Sequence, residues 1–377
     1  MKILIIDDEP EIRQTLAFVL EDEGYETYTA GTGLEGLKNI EYQKFDIVIT
    51  DLRLPDLDGM EIVGRIKKVH PDIIVVMITG HFSIENAVEA IRAGADDYIP
   101  KPLNAEEVLI KLEKAIEMKR LKVENLLFHR HLEMELEIAR KIQQTLLPQQ
   151  PPIVSGLDIG IFNQPAKRVG GDYHDLIVLP SGELGIAIGD VSGKGMPAAL
   201  LMANVQASIR RCSENKHSPM DIMKRINDAL CPICQFIEEH RFVTLFCSIL
   251  DPSSGELVYS NAGHNYPLVF RQNGTIFPLS VSGGIPCGIL EDACYDEAQI
   301  KLEPYDIVIF YTDGITESMN SDGVIFGEEK LIDIVSKNLD LDSNAIIACI
   351  YEEVSRFIGD SPQYDDMTIM AVKLTAI

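Results

Sequence analysis

Residues 2–24 read KILIIDDEPEIRQTLAFVLEDEG, and this stretch decides the fold of the first part of the chain. The short apolar run KILII predicts a buried strand, and the amphipathic stretch after it predicts a helix. The same strand–helix pattern is repeated up to about residue 118. Because every strand is short and apolar and is followed by an amphipathic helix, the pattern predicts a five-stranded parallel sheet of the doubly wound α/β class, covered on both faces.

Polar side chains follow four of the five predicted strands at the point where each strand ends. They are Asp7 and Asp8 after the first strand, Asp51 after the third, Thr79 after the fourth and Lys101 after the fifth. Ligands of a doubly wound sheet bind beyond the carboxyl ends of its strands. The carboxylates suit a hard cation such as Mg²⁺, and the hydroxyl and ammonium suit phosphoryl oxygens. The five side chains therefore predict one Mg²⁺ and one phosphoryl group at this edge.

Composition and charge exclude several classes of protein. A net charge of −26 disfavours binding to nucleic acid or to an anionic membrane, and no uncharged apolar run approaches the roughly 20 residues of a membrane span. Seven irregularly spaced cysteines suit a reducing cytosol, so we expect a cytoplasmic protein. The charge is −12 over residues 1–118, +2 over 119–150 and −16 over 151–377. This distribution predicts two acidic domains separated by a linker of different character.

The first region resembles the response-regulator receiver domain, which has a flavodoxin-like fold. The motifs that carry the resemblance are IIDDEP, TDLRLPDLDG, MITGH and DYIPKP. The resemblance implies that Asp51 accepts a phosphoryl group from a histidine kinase. It also implies a cis peptide bond before Pro102, since X–Pro bonds adopt the cis form at low cost. The remaining roles that it implies are metal ligation by Asp8, Asp7 and the Arg53 carbonyl, phosphate contacts by Thr79 and Lys101, and a switch aromatic at Tyr98.

A long helical segment connects this region to the rest of the chain. Residues 104–147 contain neither glycine nor proline, and Pro148 follows them. The apolar positions of a three–four spacing are Leu109, Leu112, Ile116, Val123 and Leu126, followed in a shifted register by Met134, Ile138 and Ile142. One interpretation is a helical linker over 119–150 that forms a homodimeric coiled coil with a break in register. The other is a helix that packs on its own domains.

The third region, residues 151–377, has strands in runs and helices in separate blocks. This arrangement predicts an α+β sandwich. The predicted strands are 157–162, 183–190, 241–250, 256–262, 267–270, 306–313 and 367–374. The predicted helices are 197–212, 218–237, 328–337 and 344–357.

Four motifs of this region carry separated aspartates. The motifs are VGGDYHD with Asp172, IGDVSGKG with Asp190, FYTDGITE with Asp313 and YDDMT with Asp365. Asp190 and Asp313 end predicted strands, and Asp365 precedes one. In an antiparallel pair the end of one strand lies beside the beginning of its neighbour, so these carboxylates can share one edge. The loop GDVSGKG has too few residues between its glycines for a P-loop, so Asp190 rather than Lys194 is its predicted functional residue.

An all-carboxylate ligand set favours Mg²⁺ or Mn²⁺ over zinc, and two such ions suit phosphoester hydrolysis. The motifs resemble the metal-dependent Ser/Thr protein phosphatases of the PPM group, in particular the SpoIIE/RsbU branch. The resemblance implies two Mn²⁺ or Mg²⁺ ions bridged by Asp190, with the Val191 carbonyl as a further ligand. Asp313 and Asp365 would complete one ion, and Asp172 would serve the other. The substrate of this branch is typically a phosphorylated STAS-domain anti-sigma-factor antagonist in partner switching.

Two departures from the family pattern are visible. His174 stands where an aromatic residue is common, and we interpret it as a packed surface histidine rather than a general acid. No arginine matches the phosphate-binding arginine of the eukaryotic relatives, and Lys167 and Arg168 are candidates for that role. The leading hypothesis is a response regulator whose phosphorylation at Asp51 regulates the phosphatase. The alternative is a non-catalytic adaptor that binds a sigma factor or another regulator in a phosphorylation-dependent way.

Overall fold

The computed structural model describes the chain except for residues 81–83, 214–216, 237–240, 281–283 and 376–377, and the side chains of 84–87. The chain forms two compact units, Met1–Leu132 and Glu133–Ile377. This division falls inside the predicted linker, whose bounds stay a prediction. Every helix in the described part of the chain is too short or too polar to span a lipid bilayer.

The first unit is a five-stranded parallel sheet with the strand order β2-β1-β3-β4-β5. The elements in chain order are β1 (Lys2–Ile6), α1 (Pro10–Asp22), β2 (Glu26–Ala30), α2 (Gly33–Tyr42), β3 (Ile47–Asp51), α3 (Gly59–Val69), β4 (Ile74–Thr79), α4 (Ile84–Ala93), β5 (Asp97–Pro100) and α5 (Ala105–Leu146). The predicted doubly wound architecture is confirmed.

The side chains of β1 point alternately to the two faces of this sheet, which explains why both faces are covered. Ile3 and Ile5 belong to one buried cluster, whereas Leu4 and Ile6 belong to another on the opposite face. Successive side chains of a strand point to opposite faces, so an entirely apolar strand requires cover on both. Helices supply that cover, and the carboxyl ends of the strands are left to form the functional edge.

Helix α5 is a single helix of 42 residues. Its first turns pack on the first unit, because Leu112 is buried and Leu109 and Ile116 pack against the same apolar cluster. These three positions are therefore not part of a dimer seam, and the coiled-coil interpretation is wrong for them. The later apolar positions of the pattern are exposed in the described chain, namely Val123, Leu126, Met134, Ile138 and Ile142.

The second unit contains two five-stranded sheets, with the orders β13-β10-β9-β8-β7 and β12-β11-β14-β15-β6. Every strand pair in them is antiparallel. The elements are β6 (Leu157–Gln164), β7 (Tyr173–Val178), β8 (Leu184–Val191), α6 (Met196–Ser213), α7 (Pro219–Phe236), β9 (Val243–Leu250), β10 (Glu256–Ala262), β11 (Leu268–Phe270), β12 (Ile276–Pro278), β13 (Ala298–Lys301), β14 (Ile307–Tyr311), α8 (Asp313–Thr316), α9 (Glu328–Lys337), α10 (Ser343–Ile358) and β15 (Met367–Leu374).

The two sheets face each other across a shared apolar core. Ile188 and Phe246 of one sheet and Phe310 and Met370 of the other belong to one buried cluster, and the rings of Phe246 and Phe310 lie 5.9 Å apart. Helices α6 and α7 cover the outer face of the first sheet, and α9 and α10 cover that of the second. The predicted α+β sandwich is confirmed as four layers, helices–sheet–sheet–helices.

Three strands and one short helix of this unit were not predicted from the sequence. Strand β7 begins inside the motif VGGDYHD, where charged and aromatic residues replace the expected apolar alternation. Strands β12 and β13 have three and four residues and are only partly buried, so their patterns are too short to identify. The predicted end of one helix at Ile237 lies outside the described residues.

Candidate functional site

In the first unit, Lys101 connects the carboxylates that were predicted at the strand ends. Its Nζ lies 2.6 Å from Asp51 Oδ2, 3.1 Å from Asp7 Oδ2 and 2.9 Å from Glu9 Oε1. Burial lowers the pKa of Lys101, but hydrogen bonds to Asp51, Glu9 and Asp7 outweigh it and raise the pKa above its usual range. The lysine is therefore a fixed positive charge beside Asp51.

The carboxylates of this edge are close enough to share a cation. Asp7, Asp8, Glu9 and Asp51 each place an oxygen within 4.8 Å of the others, and such an oxygen set suits Mg²⁺. Burial is the main cause that raises the pKa of Asp7. Glu9 was not predicted; it stands in the quoted motif IIDDEP, three residues beyond the end of β1.

The other predicted residues of this edge have the following positions. The Arg53 amide donates to Asp51 Oδ1 at 3.1 Å, so the backbone of Arg53 lies against the acceptor carboxylate. Thr79 is buried at the end of β4, and its carbonyl accepts from the Lys101 amide at 2.8 Å. Tyr98 lies in β5, where the Lys111 ammonium is 4.4 Å from its ring centroid. The Lys101–Pro102 peptide bond is cis, as predicted.

In the second unit, two antiparallel strand pairs bring the four motif aspartates together. Asp172 immediately precedes β7, and Tyr173 pairs with Gly189, so Asp172 lies beside Asp190 at the end of β8. In the facing sheet, Asp313 follows β14 and Asp365 precedes β15, which are antiparallel neighbours. Each sheet therefore delivers one set of carboxylates to the same edge of the sandwich.

Mutual repulsion shows that these carboxylates form one electrostatic cluster. Burial, followed by the charges of Asp313, Asp365 and Asp366, raises the pKa of Asp190 to about 8. Burial, followed by Asp190 and Asp366, raises the pKa of Asp172 well above its usual range. Burial and Asp365 also raise the pKa of Asp313. The cluster holds more negative charge than its surroundings compensate, so added positive charge would be stabilising.

Two threonines orient Asp172. The hydroxyl groups of Thr312 and Thr368 donate to Asp172 Oδ2 at 2.8 and 2.5 Å. Asn163 in turn donates to the Thr368 hydroxyl at 2.8 Å. Both threonines stand next to or within the aspartate motifs, but the sequence does not reveal which carboxylate they contact. With Oδ2 engaged in this way, the position of Asp172 within the cluster is fixed.

Asp366 links two backbone segments by hydrogen bonds, a role that the sequence alone does not reveal. Its carboxylate accepts from the amides of Ala166 and Gly171 at 2.7 and 2.6 Å. It therefore ties the VGGD loop to the beginning of β15. A Cβ atom on Gly314 would lie 1.9 Å from the Asp366 carbonyl oxygen, which shows how tightly the two carboxylate-bearing segments of the second sheet pack.

The donor set of this cluster fits hard divalent cations. All potential donors are oxygens, which Mg²⁺ and Mn²⁺ prefer. A Cβ atom on Gly171 would lie 2.9 Å from the Val191 carbonyl oxygen and 3.2 Å from Asp190 Oδ1, so only glycine leaves the space beside these two oxygens open. No three acidic or other ligating side chains in the described part of this unit bring one oxygen each within 4.8 Å of one another.

The other residues singled out in the sequence have the following surroundings. His174 is buried rather than at the surface, and burial lowers its pKa to about 4; the surface interpretation is wrong because the residue belongs to a covered strand. Lys167 and Arg168 are exposed, and Arg168 pairs with Glu137 at 3.4 Å. Asp175 is fully buried and forms a bidentate ion pair with Arg210, whose side chain is half-exposed. This pair explains the presence of Asp175 in the motif as structural.

The family model of stage II sporulation protein E (SpoIIE) matches residues 180–375, more than half of the chain. The chain belongs to the SpoIIE family. The model of the response regulator receiver domain matches residues 3–113. This SpoIIE-family protein therefore combines an N-terminal receiver domain with a C-terminal phosphatase domain of the SpoIIE type, and the resemblance identified from the motifs is confirmed.

Individual relatives match one or the other half of this SpoIIE-family protein. It is 28% identical over 242 residues to phosphoserine phosphatase RsbU of Bacillus subtilis (64% of this chain, 70% of the relative). It is 30% identical over 264 residues to protein IcfG of a Synechocystis species (63% and 41%). The nitrogen assimilation regulatory protein NtrX of Azorhizobium caulinodans is 44% identical over 124 residues (32% and 27%). The chain thus spans less than half the length of two of these three relatives.

Solved structures share the fold of the C-terminal unit. The SiaA-PP2C domain of Pseudomonas aeruginosa superimposes with a TM-score of 0.58 at 19% identity, over 65% of this chain and 98% of that one. The phosphatase domain of SpoIIE from Bacillus subtilis superimposes with a TM-score of 0.50 at 21% identity, over 59% and 64%. At these identities the likeness establishes the fold of the sandwich and not its substrate.

Proposed function

We propose that this protein is a response regulator in which phosphorylation of Asp51 by a histidine kinase regulates a metal-dependent Ser/Thr protein phosphatase. The observation that carries the proposal is the convergence of carboxylates from four separate motifs at one edge of the sandwich, where they raise one another's pKa values. Bound cations would compensate this charge, which is destabilising when it is buried without a partner.

The residues that would hold two Mn²⁺ or Mg²⁺ ions are Asp172, Asp190, Asp313, Asp365 and the Val191 carbonyl. When bound, such ions would supply positive charge to phosphoryl oxygens and lower the pKa of a coordinated water. Asp190 suits a central position because it is adjacent to both sheets' carboxylates. Because the hydroxyls of two threonines hold one oxygen of Asp172, its orientation does not have to be established during the reaction.

The first unit would receive the signal. Asp51, the Lys101 ammonium and the oxygens of Asp7 and Asp8 meet at one edge, which is the arrangement required for one Mg²⁺ and an acyl phosphate. We infer that α5 transmits the change, and that its exposed apolar positions beyond Leu121 pair in a homodimer. The substrate that we propose is a phosphoserine protein, because RsbU, which is similar over 70% of its length, is a phosphoserine phosphatase. The resemblance of the motifs to the SpoIIE/RsbU branch narrows the proposed substrate to a phosphorylated STAS-domain protein.

The catalytic part of the proposal is tested by phosphate release. With Mn²⁺, the full chain should hydrolyse an aryl phosphate and a phosphorylated STAS-domain protein, and Asp190→Asn should lower the rate by at least about a thousandfold, as expected when a central catalytic group is removed. An unchanged rate in Asp190→Asn would refute the proposed site. Stable binding of the STAS protein without turnover by the wild-type protein would instead favour the adaptor alternative.

The regulatory part has its own test. Beryllofluoride, which mimics the phosphorylated aspartate, should change both phosphatase activity and oligomeric state of the full chain, and Asp51→Asn should abolish both responses. Activity can be measured by phosphate release and mass by light scattering in the same samples. If neither quantity responds in the wild-type protein, the receiver does not control the phosphatase.

A further inference from the structure

One cation reaches into the carboxylate cluster of the second unit. Lys194, in the loop between β8 and α6, places its Nζ 3.0 Å from Asp365 Oδ2. The same ammonium donates to the Tyr364 carbonyl and lies 4.1 Å from the centroid of the Tyr364 ring. Its charge also lowers the pKa of Asp313 against the raising effects of burial and Asp365. The charge of Lys194 thus acts on two predicted metal ligands, Asp365 and Asp313.

The other basic side chains near this edge have different partners. Arg210 is paired with the buried Asp175 at 2.6 Å. Arg168 pairs with Glu137 on helix α5. Arg241 donates to the Ser192 carbonyl at 2.9 Å and packs against Gly193, so it supports the loop that carries Lys194. Among the residues that the structure describes, Lys194 is the cation whose ion pair is with a carboxylate of the cluster.

A phosphorylated substrate needs such a cation. Its phosphoryl group carries close to two negative charges and must approach an edge that already holds several aspartates. A lysine ammonium binds phosphate as a mobile point charge on a flexible stem. The Lys194 side chain is 28% exposed, and the exposed Tyr364 ring gives it a platform at the rim. A partly exposed pair of this kind contributes little to stability, so a stabilising role alone does not explain it.

We propose that Lys194 binds the phosphoryl group of the substrate, a phosphoserine or phosphothreonine side chain. The ion pair with Asp365 is the contact of its ammonium in the metal-free chain. Once Asp365 holds a metal ion, the ammonium can turn to a phosphoryl oxygen of the substrate. This inference rests on the proposed phosphatase function and assigns the phosphate-binding cation of that site. It replaces the candidates Lys167 and Arg168.

The test measures binding separately from turnover. Inorganic phosphate, the product, is titrated into the Mn²⁺-loaded full chain by calorimetry, and Mn²⁺ alone is titrated into the metal-free chain. Lys194→Met should weaken phosphate binding by about tenfold to a hundredfold, the loss expected for one charge-assisted hydrogen bond. It should leave Mn²⁺ binding at least as strong as in the wild type, because in the metal-free chain the Lys194 ammonium competes with the ion for Asp365. Lys194→Arg should recover most of the phosphate affinity.

A matched control is Lys330→Met. The Lys330 ammonium also lies over an aromatic ring, 3.9 Å from the centroid of Phe357, but on helix α9, which covers the outer face of the second sheet. The affinities of the Lys330→Met variant for phosphate and for Mn²⁺ should equal those of the wild type. Lys194→Gln, measured in parallel, keeps a polar side chain at the rim and should lose phosphate affinity in the same way as Lys194→Met.

Two results would overturn the inference. Unchanged phosphate affinity and unchanged KM in the Met and Gln variants would show that Lys194 does not contact phosphate. Equal losses of phosphate and Mn²⁺ affinity would show that it only positions Asp365. In both cases an active wild-type enzyme leaves the proposed function intact, whereas absence of hydrolysis in the wild type would refute the proposed function itself.

Discussion

Gly171→Ala is the smallest change that tests the geometry of the candidate metal site. The added Cβ would lie 2.9 Å from the Val191 carbonyl oxygen, 3.2 Å from Asp190 Oδ1 and 3.4 Å from the Cβ of Ala198. Non-bonded carbon and oxygen atoms ordinarily approach to about 3.3–3.6 Å. The Val191 carbonyl must therefore move by roughly 0.4 Å or more from the inserted methyl group.

That displacement is large for a metal ligand and moderate for a protein core. Ligand distances in a metal site hold to within about 0.2 Å, so the change at Val191 should weaken Mn²⁺ binding by at least about tenfold, as outer contacts of metal ligands do when they are disturbed. Overpacking by one methyl group costs about 1–3 kcal/mol of unfolding free energy. We therefore expect a folded protein with a damaged site.

Calorimetric titration with Mn²⁺, urea unfolding and phosphate release on the full chain measure these three quantities. Gly185→Ala is the matched control, because Gly185 lies on the same strand as Asp190 and its added Cβ would meet no atom closer than 3.5 Å. This control should bind Mn²⁺ and release phosphate like the wild type. If Gly171→Ala also retains wild-type Mn²⁺ affinity and activity, the Val191 carbonyl and Asp190 do not form the predicted site.

Two further predictions concern stability and its dependence on pH. Arg210→Met should lower the unfolding free energy by about 3 kcal/mol, because Asp175 is fully buried and would lose its charge partner; Asp175→Asn in the same background should recover part of it in urea unfolding. His264 is buried, and burial lowers its pKa to about 4, below the value of about 6.5 in the unfolded chain. Between these two pH values the unfolded state binds one more proton than the folded state. The free energy of unfolding therefore decreases as the pH falls through this window. His264→Asn should therefore reduce the slope of unfolding free energy by up to about 1.4 kcal/mol per pH unit near pH 5, measured by urea unfolding at a series of pH values.

The grouping of functional residues at the receiver edge was predictable from one rule of sheet geometry. In a parallel sheet every strand ends at the same edge, so listing the residues after each apolar run was enough to bring Asp51, Lys101 and Thr79 together. Glu9 was missed because it lies one residue farther from the strand end than Asp8, and only the structure shows that the Lys101 ammonium reaches it at 2.9 Å.

The phosphatase edge was predictable only in part. Antiparallel adjacency places Asp313 beside Asp365, and this pair follows from predicted strand ends. The pairing of Asp172 with Asp190 depends on β7, which was not predicted from the sequence. Nothing in the pattern of apolar residues states that the two sheets face each other with these edges aligned. The contacts that join the sheets, such as Thr312 with Asp172, connect residues 140 positions apart. Such contacts depend on how the layers pack, which single motifs do not encode.

Each unit places a lysine ammonium on an aspartate with a proposed role in phosphate chemistry, and the difference between the two lysines indicates different tasks. Lys101 is 17% exposed and contacts three carboxylates, Asp7, Glu9 and Asp51. With three anionic partners its position changes little when one of them gains a phosphoryl group. Lys194 is more exposed and contacts one carboxylate, a carbonyl and a ring face. An ammonium with a single anionic partner exchanges that partner more readily, as the proposed turnover at the phosphatase site would require, whereas the proposed aspartyl phosphate would need the fixed charge that Lys101 provides.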